Sequence, residues 1–278
     1  MSYILYEVRD RVALVTINRP DAGNAQNADL LAELDGRFAE AVADDEVRAI
    51  VLRSEGKHFS TGHDIAPDVI EREPWKSMFD DVQQTGLLRM YDWESQHYFG
   101  YSRRWRDIPK PTIASVQGAC VAAGLMLCWP MDIIIAADDS RFCDPVALMG
   151  IGGVEYQGHA WEWGARKAKE MLFTAGWMSA EEAHRLGMVN RVVPRAELDA
   201  ATFELASKIA QMPPHAMRMA KRAVNAVLDA QGQHQALDFG FQTHSLGHAN
   251  AWATHGQVTT AGLAEMTQKN RAAVEKSK

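Results

Sequence analysis

The chain has no lysine/arginine run and no basic stripe. Its 29 basic side chains are outnumbered by 36 acidic ones, giving a formal net charge of −7 over 278 residues. That balance excludes nucleic acid as an expected partner and leaves any anionic ligand to be held locally. The start, MSYILYEVRDRVALVTINRP, has no basic segment followed by an uninterrupted apolar run. Neither a signal peptide nor a membrane contact is therefore expected, and the expected location is cytoplasmic. Cysteine is scarce: Cys120, Cys128 and Cys143 lie in apolar surroundings without CxxC spacing, the pattern of buried free thiols rather than of a disulfide or metal site. The GIGG at 150–153 has neither GxGxxG spacing nor a following GK[ST], so no nucleotide cofactor is indicated. His244 and His248 have the i,i+4 spacing of an HExxH zinc site, but Ser245 replaces the glutamate and no third ligand stands out. No metal is expected.

What is present is globular: 47% hydrophobic residues, enough for one large or two small domains with a substantial core. Residues 3–7 and 12–17 read as strands joined at Arg9-Asp10-Arg11 and closed by Asn18-Arg19-Pro20. Residues 28–43 carry Leu30, Leu31, Leu34, Phe38 and Val42 at helical spacing, and 49–53 is a buried strand. Beta, alpha, beta is thus in place by residue 53, predicting an α/β sheet with crossing helices. Further strands are expected at 112–116 and 132–136, and helices at 87–105, 159–173, 196–211, 213–230 and 235–252, with a last Lys/Glu-containing helix after Gly256. Ser179 and Glu182 form a capping box for a helix ending near Gly187. Residues 71–74 read as a loop.

Two stretches offer backbone donors. Residues 117–127, QGACVAAGLML, turn from a strand through Ala122, Ala123 and Gly124 into an apolar helix, where free N–H groups suit an oxygen of partial negative charge. A tightly packed strand–helix turn accounts for the same residues. Residues 54–65, SEGKHFSTGHDI, hold Thr61-Gly62-His63 in a loop that could present another N–H. The His63 side chain is open between base, metal ligand and structural group.

FSTGHDI, then QGACVAAGLML, then DIIIAADDSRFCDP resemble the crotonase (enoyl-CoA hydratase/isomerase) superfamily. The resemblance extends from NRPDAGNA at 18–25 through WGARKAKEMLFTAGWMSAEEAHRLGMVNRVVP at 163–194. It implies a spiral of ββα units over 1–195, a helical region over 196–278 that serves oligomerisation and caps the ligand site, and assembly as a homotrimer or dimer of trimers. It also implies an acyl-CoA thioester as ligand, with CoA part of the substrate and no separate cofactor. The implied oxyanion donors are the N–H groups of His63 and Ala123; Ala22, Gly23, Asp64, Ile65 and Gly124 are the implied substrate or CoA contacts. The family's variable acyl-pocket region coincides with the aromatics of 87–105, and Lys269 and Arg271 stand where basic residues often meet the CoA phosphates.

Hydration requires groups that activate water and deliver a proton to the alpha carbon. The two glutamates that the family's hydratases use correspond here to Met126 and Val146, neither of which transfers protons. Glu155 is the first candidate substitute and Asp144 the second, with Tyr156 and His159 as helpers. A carboxylate in an apolar cleft is expected to have a raised pKa. The resemblance implies an enolate-forming enzyme; the alternatives are a non-catalytic acyl-CoA binder and an acyl-CoA hydrolase or decarboxylase.

Overall fold

The computed structural model describes residues 2–66, 69, 72–73 and 82–260. It opens with a hairpin, β1 (Ile4–Arg9) and β2 (Val12–Ile17), paired antiparallel with Arg9 opposite Val12. Asp10 and Arg11 both take positive φ, as a two-residue hairpin turn matching the strand twist requires. Helix α1 (Ala28–Ala43) is capped by Asn27, whose Oδ1 accepts the Leu30 N–H at 2.9 Å, and it buries Leu30, Leu31, Leu34, Phe38 and Ala41. β3 (Ala49–Ser54) returns parallel to β2.

From here each turn of chain contributes one strand to a large sheet and one short extended piece to a second layer. The large sheet runs β1-β2-β3-β4-β6-β9, with β4 Thr112–Val116, β6 Ile133–Ala137 and β9 Arg191–Val193 all joined in parallel. The small layer is β5 (Ala119–Val121), β7 (Arg141–Cys143) and β8 (Met178–Ser179). Isolated parallel bridges, Ser60 to Cys120 and Gln26 to His63, continue its direction. This is the expected spiral of ββα units.

All six residues of β2 are buried because the large sheet is covered on both faces. Ala13, Val15 and Ile17 face the core shared with α1 and the small layer, whereas Val12 and Leu14 join Leu198, Ala206 and Ala210 on the other side. Those last three lie on α8 (Leu198–Ala210). The boundary placed after residue 195 therefore precedes a helix that completes the sheet's outer face.

Several elements depart from their expected extents. The helix expected over 87–105 is two, α2 (Leu88–His97) and α3 (Phe99–Arg106), divided at Tyr98. Gly100 lies so near the Ser95 carbonyl that a Cβ there would stand 2.6 Å from its oxygen. The apolar run after Gly124 is a single turn, α4 (Leu125–Cys128), ended by Trp129-Pro130. The helix expected over 159–173 divides into α5 (His159–Trp163) and α6 (Ala165–Thr174) at Gly164, whose φ of 74° and ψ of 150° end a right-handed helix. Ser179 Oγ accepts the Glu182 N–H at the start of α7 (Ala180–Leu186), and Gly187 closes it in left-handed conformation.

α9 (Pro214–Ala230) and α10 (Gln233–His255) follow, the latter longer than the expected 235–252. The helix expected after Gly256, with Lys269 and Arg271, falls on residues that lie almost wholly outside the described ones, as do most of 67–81, including Glu71 and Pro74 of the expected loop. No described helix is long and apolar enough to cross a membrane. Cys120, Cys128 and Cys143 are buried free thiols.

The loop before α1 is tied to the loop after β3 by one side chain. Fully buried Asn24, at φ 55°, donates through Nδ2 to the carbonyls of Glu55 (2.8 Å) and His58 (2.7 Å) and accepts the Arg19 N–H at 2.9 Å. Asn24→Ala leaves these backbone groups without that partner, so it should lower unfolding stability by roughly 3 kcal/mol. Urea denaturation with an unchanged m value would register it, and a loss of a few tenths would refute this account.

Candidate active site

The site is assembled from backbone before side chains. The bridge between Gln26 and His63 uses the Gly62 carbonyl and the Asp64 N–H, at 2.8 Å each, so the His63 N–H is directed to the opposite side of the strand. Ser60 is bracketed in the same way by Ala119 and Val121 of β5. These two bridges bring Gly62 onto the turn at 122–124. A Cβ on Gly62 would lie 3.0 Å from the Val121 oxygen and 3.5 Å from the Ala123 nitrogen, and one on Gly124 would lie 2.7 Å from the Ser60 oxygen. Both glycines are required by close approach. Ala122 is held at φ 48°, a conformation disfavoured for alanine, so this turn carries local backbone strain. Ala123 follows as the second residue of a 3-10 turn, whose first N–H groups have no partner within the turn. The structure therefore brings together the two backbone segments singled out in the sequence.

The other expected contacts are distributed around this junction. Ala22 ends a 3-10 turn that Gly23 closes in left-handed conformation, and the Gly23 carbonyl accepts the Thr61 N–H at 3.1 Å. Asp64 is engaged by Arg19 in an ion pair at 2.5 Å and by the Ala66 N–H at 3.1 Å. Ile65 is half-buried and outside any strand. Met126 is buried in α4, its carbonyl accepting from Ser102, and Val146 begins a 3-10 turn and packs against the core.

The candidate acids differ sharply. Asp144 is buried and committed to its turn: it accepts the Val146 N–H (3.3 Å), the Val154 N–H (3.0 Å) and Nε2–H of His159 (2.8 Å). His159 is thereby fixed as its partner and packs edge-on to Trp129 and Trp163. Tyr156 is buried near Phe99, and burial pushes its phenol up in pKa.

Glu155, also buried, accepts a hydrogen bond from Nε2 of His63 at 3.1 Å, while Nε2 of His244 lies 3.8 Å away. The expectation of a raised pKa for Glu155 is corrected. Burial pushes the carboxyl up, but His244 and His63 outweigh it and hold it below the usual carboxylate range. A cleft lined by imidazoles is not an apolar one.

The side chain of His63 stacks on Tyr98, with ring centroids 4.0 Å apart. The neighbouring aromatics pack largely on one another: Trp93 on His97, Tyr101 on Trp105, and Phe99 on Phe241 of α10.

One acid was missed. Glu94 of α2 is buried, with its Oε2 3.9 Å from Nε2 of His244, and burial followed by repulsion from Glu155 raises its pKa well above the normal range. Its signal in the sequence is spacing: Met90 and Glu94 are the buried pair of α2, so an acid occupies the helix's inward stripe. His244 and His248 share the buried face of α10 with Leu237, Gly240, Phe241 and Ala251. The third ligand-type group that their spacing lacked is Glu94, supplied from another helix.

Comparison with known proteins places this geometry. The enoyl-CoA hydratase/isomerase family model matches residues 7–251. A Mycobacterium tuberculosis protein with the provisional name enoyl-CoA hydratase EchA13 is 43% identical over 273 residues, covering 94% of this chain and 84% of its own length. The short-chain-enoyl-CoA hydratase of Clostridium acetobutylicum is 34% identical over 81% of this chain and 82% of its own. The crystal structure of a probable enoyl-CoA hydratase from Mycobacterium thermoresistibile superposes with a TM-score of 0.83 at 54% identity, over 90% of this chain and 98% of that one. Sequence and spiral fold thus converge, and the chain belongs to the enoyl-CoA hydratase/isomerase family.

Proposed function

We propose that the chain is an acyl-CoA enzyme of the enoyl-CoA hydratase/isomerase type, in which the N–H groups of His63 and Ala123 hold the thioester oxygen and Glu155 exchanges a proton with the acyl chain. The observation carrying this reading is that Glu155 hydrogen-bonds the side chain of His63, the same residue whose backbone N–H faces away from the Gln26 bridge. One residue thereby links the oxyanion donor to the carboxylate.

Negative charge moves onto the thioester oxygen as an enolate forms, and fixed donors stabilise it where it appears. An ionised Glu155 is in the form that accepts a proton from the alpha or gamma carbon, its lowered pKa makes it a weaker base than a free carboxylate, and His63 fixes its orientation. Asp144 is left to the turn. A second reading, acyl-CoA capture without turnover, draws on Met126 and Val146 at the usual glutamate positions.

The chain is further proposed to act as a homotrimer or dimer of trimers. α9 buries no residue of its own and exposes Val224 and Val227, while Phe173, Phe239 and Leu246 are exposed elsewhere. So much uncovered apolar surface calls for a protein partner, and a second copy of this chain is the expected one.

Three outcomes follow. Glu155→Gln should lower kcat on short, long or cyclic enoyl-CoA substrates by about 10²–10⁴-fold while leaving acyl-CoA affinity within a few-fold; an unchanged rate, or a native protein that binds these esters without turning them over, removes Glu155 or the enzyme reading. Product analysis separates hydration, which gives a hydroxyacyl-CoA, from a shifted double bond. Gly124→Ala, by forcing the turn off the Ser60 carbonyl, should cost about 10²–10³-fold in kcat, the effect of losing one oxyanion donor; wild-type rates would show that the turn's position is irrelevant. Sedimentation equilibrium should return a multiple of three chains, and a monomer would refute the assembly.

A further inference from the structure

His244 and His248 stand one turn apart on α10, and both rings are oriented by backbone carbonyls. Nδ1 of His244 lies 2.7 Å from the Gly153 oxygen, and Nδ1 of His248 lies 2.7 Å from the Val258 oxygen. A carbonyl only accepts, so each Nδ1 carries a proton, and in the neutral form of either ring Nε2 presents a lone pair. Those two Nε2 atoms face each other at 3.0 Å. Beside them is Oε2 of Glu94, buried and without a hydrogen-bond partner among the described residues, 3.9 Å from Nε2 of His244. All three donor atoms lie within 4.8 Å of one another.

We propose that Glu94, His244 and His248 bind a first-row divalent cation, zinc being the reference case. A proton shared between the imidazoles would satisfy the two nitrogens and leave the Glu94 oxygen orphaned in the interior, which is costly. A cation satisfies all three. Two nitrogens about 2.0–2.1 Å from one ion stand roughly 2.8–3.4 Å apart between square and tetrahedral angles. The observed 3.0 Å falls within that range, and the Glu94 oxygen, 3.9 Å from Nε2 of His244, would have to move inward to close on the ion.

The donor set of two imidazoles and one carboxylate suits zinc and its neighbours and leaves coordination positions open. Both histidines already have the outer hydrogen bond that fixes the tautomer of a metal-binding imidazole. The close approach of α10 to the second Gly-rich turn holds this geometry. A Cβ on Gly247 would stand 3.2 Å from the Gly150 oxygen, and one on Gly240 would stand 2.7 Å from the Gln157 side chain. Glu155 lies beside the site, 3.8 Å from Nε2 of His244, so a bound cation would take the place of a protonated His244 as countercharge to that carboxylate.

The test is a titration of chelator-treated, full-length protein with cobalt(II), followed by zinc(II). One equivalent per chain should bind with the visible absorption of an imidazole–carboxylate centre, and zinc should bleach it. Glu94→Gln and His248→Ala should each weaken cobalt affinity at least tenfold, whereas His215→Ala, an exposed histidine on α9, should not change it. Anomalous diffraction from zinc-soaked crystals should place the ion between Glu94 and the two histidines. Absence of a saturable cobalt spectrum in the wild-type protein would overturn the proposal in favour of a shared proton, and needs no variant to fold. Binding that persists equally in both variants would also overturn it, by assigning the metal to another site.

Discussion

A carboxylate removed from water has to be compensated within the protein, and the compensation of Glu155 organises the site. Its own turn follows β7; its partners arrive from the loop after β3, as His63, and from the middle of α10, as His244. Removing one member of such a buried pair typically costs about 3–5 kcal/mol, because the other is left charged and unpaired. This requirement ties α10 to the turn in addition to apolar contact, with the His244 bond to the Gly153 carbonyl beside it. It also accounts for a histidine on the inward stripe of α10, and the same carboxylate, after burial, helps push the pKa of Glu94 up where α2 brings it close.

The backbone half of the site obeys a different constraint. Two turns separated by about sixty residues can present N–H groups to one ligand atom only if their chains nearly touch. Gly62 and Gly124 permit that contact, and Ala122 is bent into a left-handed conformation on the way. Asn24 secures the entrance to the same junction by bonding three backbone groups of two loops. The glycines and the asparagine are therefore adjacent parts of one device, although they lie far apart in the sequence.

This explains which features were legible in the chain. Apolar periodicity located the strands and α1, since burial on a regular element repeats at a fixed interval, and the two small-residue stretches marked the close approach because little else fits there. The helix breaks were less visible: the spacing of 87–105 runs on through Tyr98, and Gly164 could be read as an ordinary small residue until its conformation was known. Electrostatics was the least accessible level. The direction of the Glu155 shift depends on His63 and His244, which are 92 and 89 positions away along the chain and adjacent only once the spiral and α10 have closed.

The same reasoning separates the two acids that looked alike in sequence. Asp144 has its acceptor capacity filled by two backbone N–H groups and by His159, so any change in its charge would disturb the turn that carries Glu155. Glu155 accepts from a side chain instead, the imidazole of His63, which is itself stacked on Tyr98. Backbone anchoring of one carboxylate and side-chain pairing of its neighbour is the division expected where one group sets geometry and the other moves protons. With Met126 and Val146 unable to contribute, the proposed proton transfer falls to the carboxylate held by side chains, Glu155.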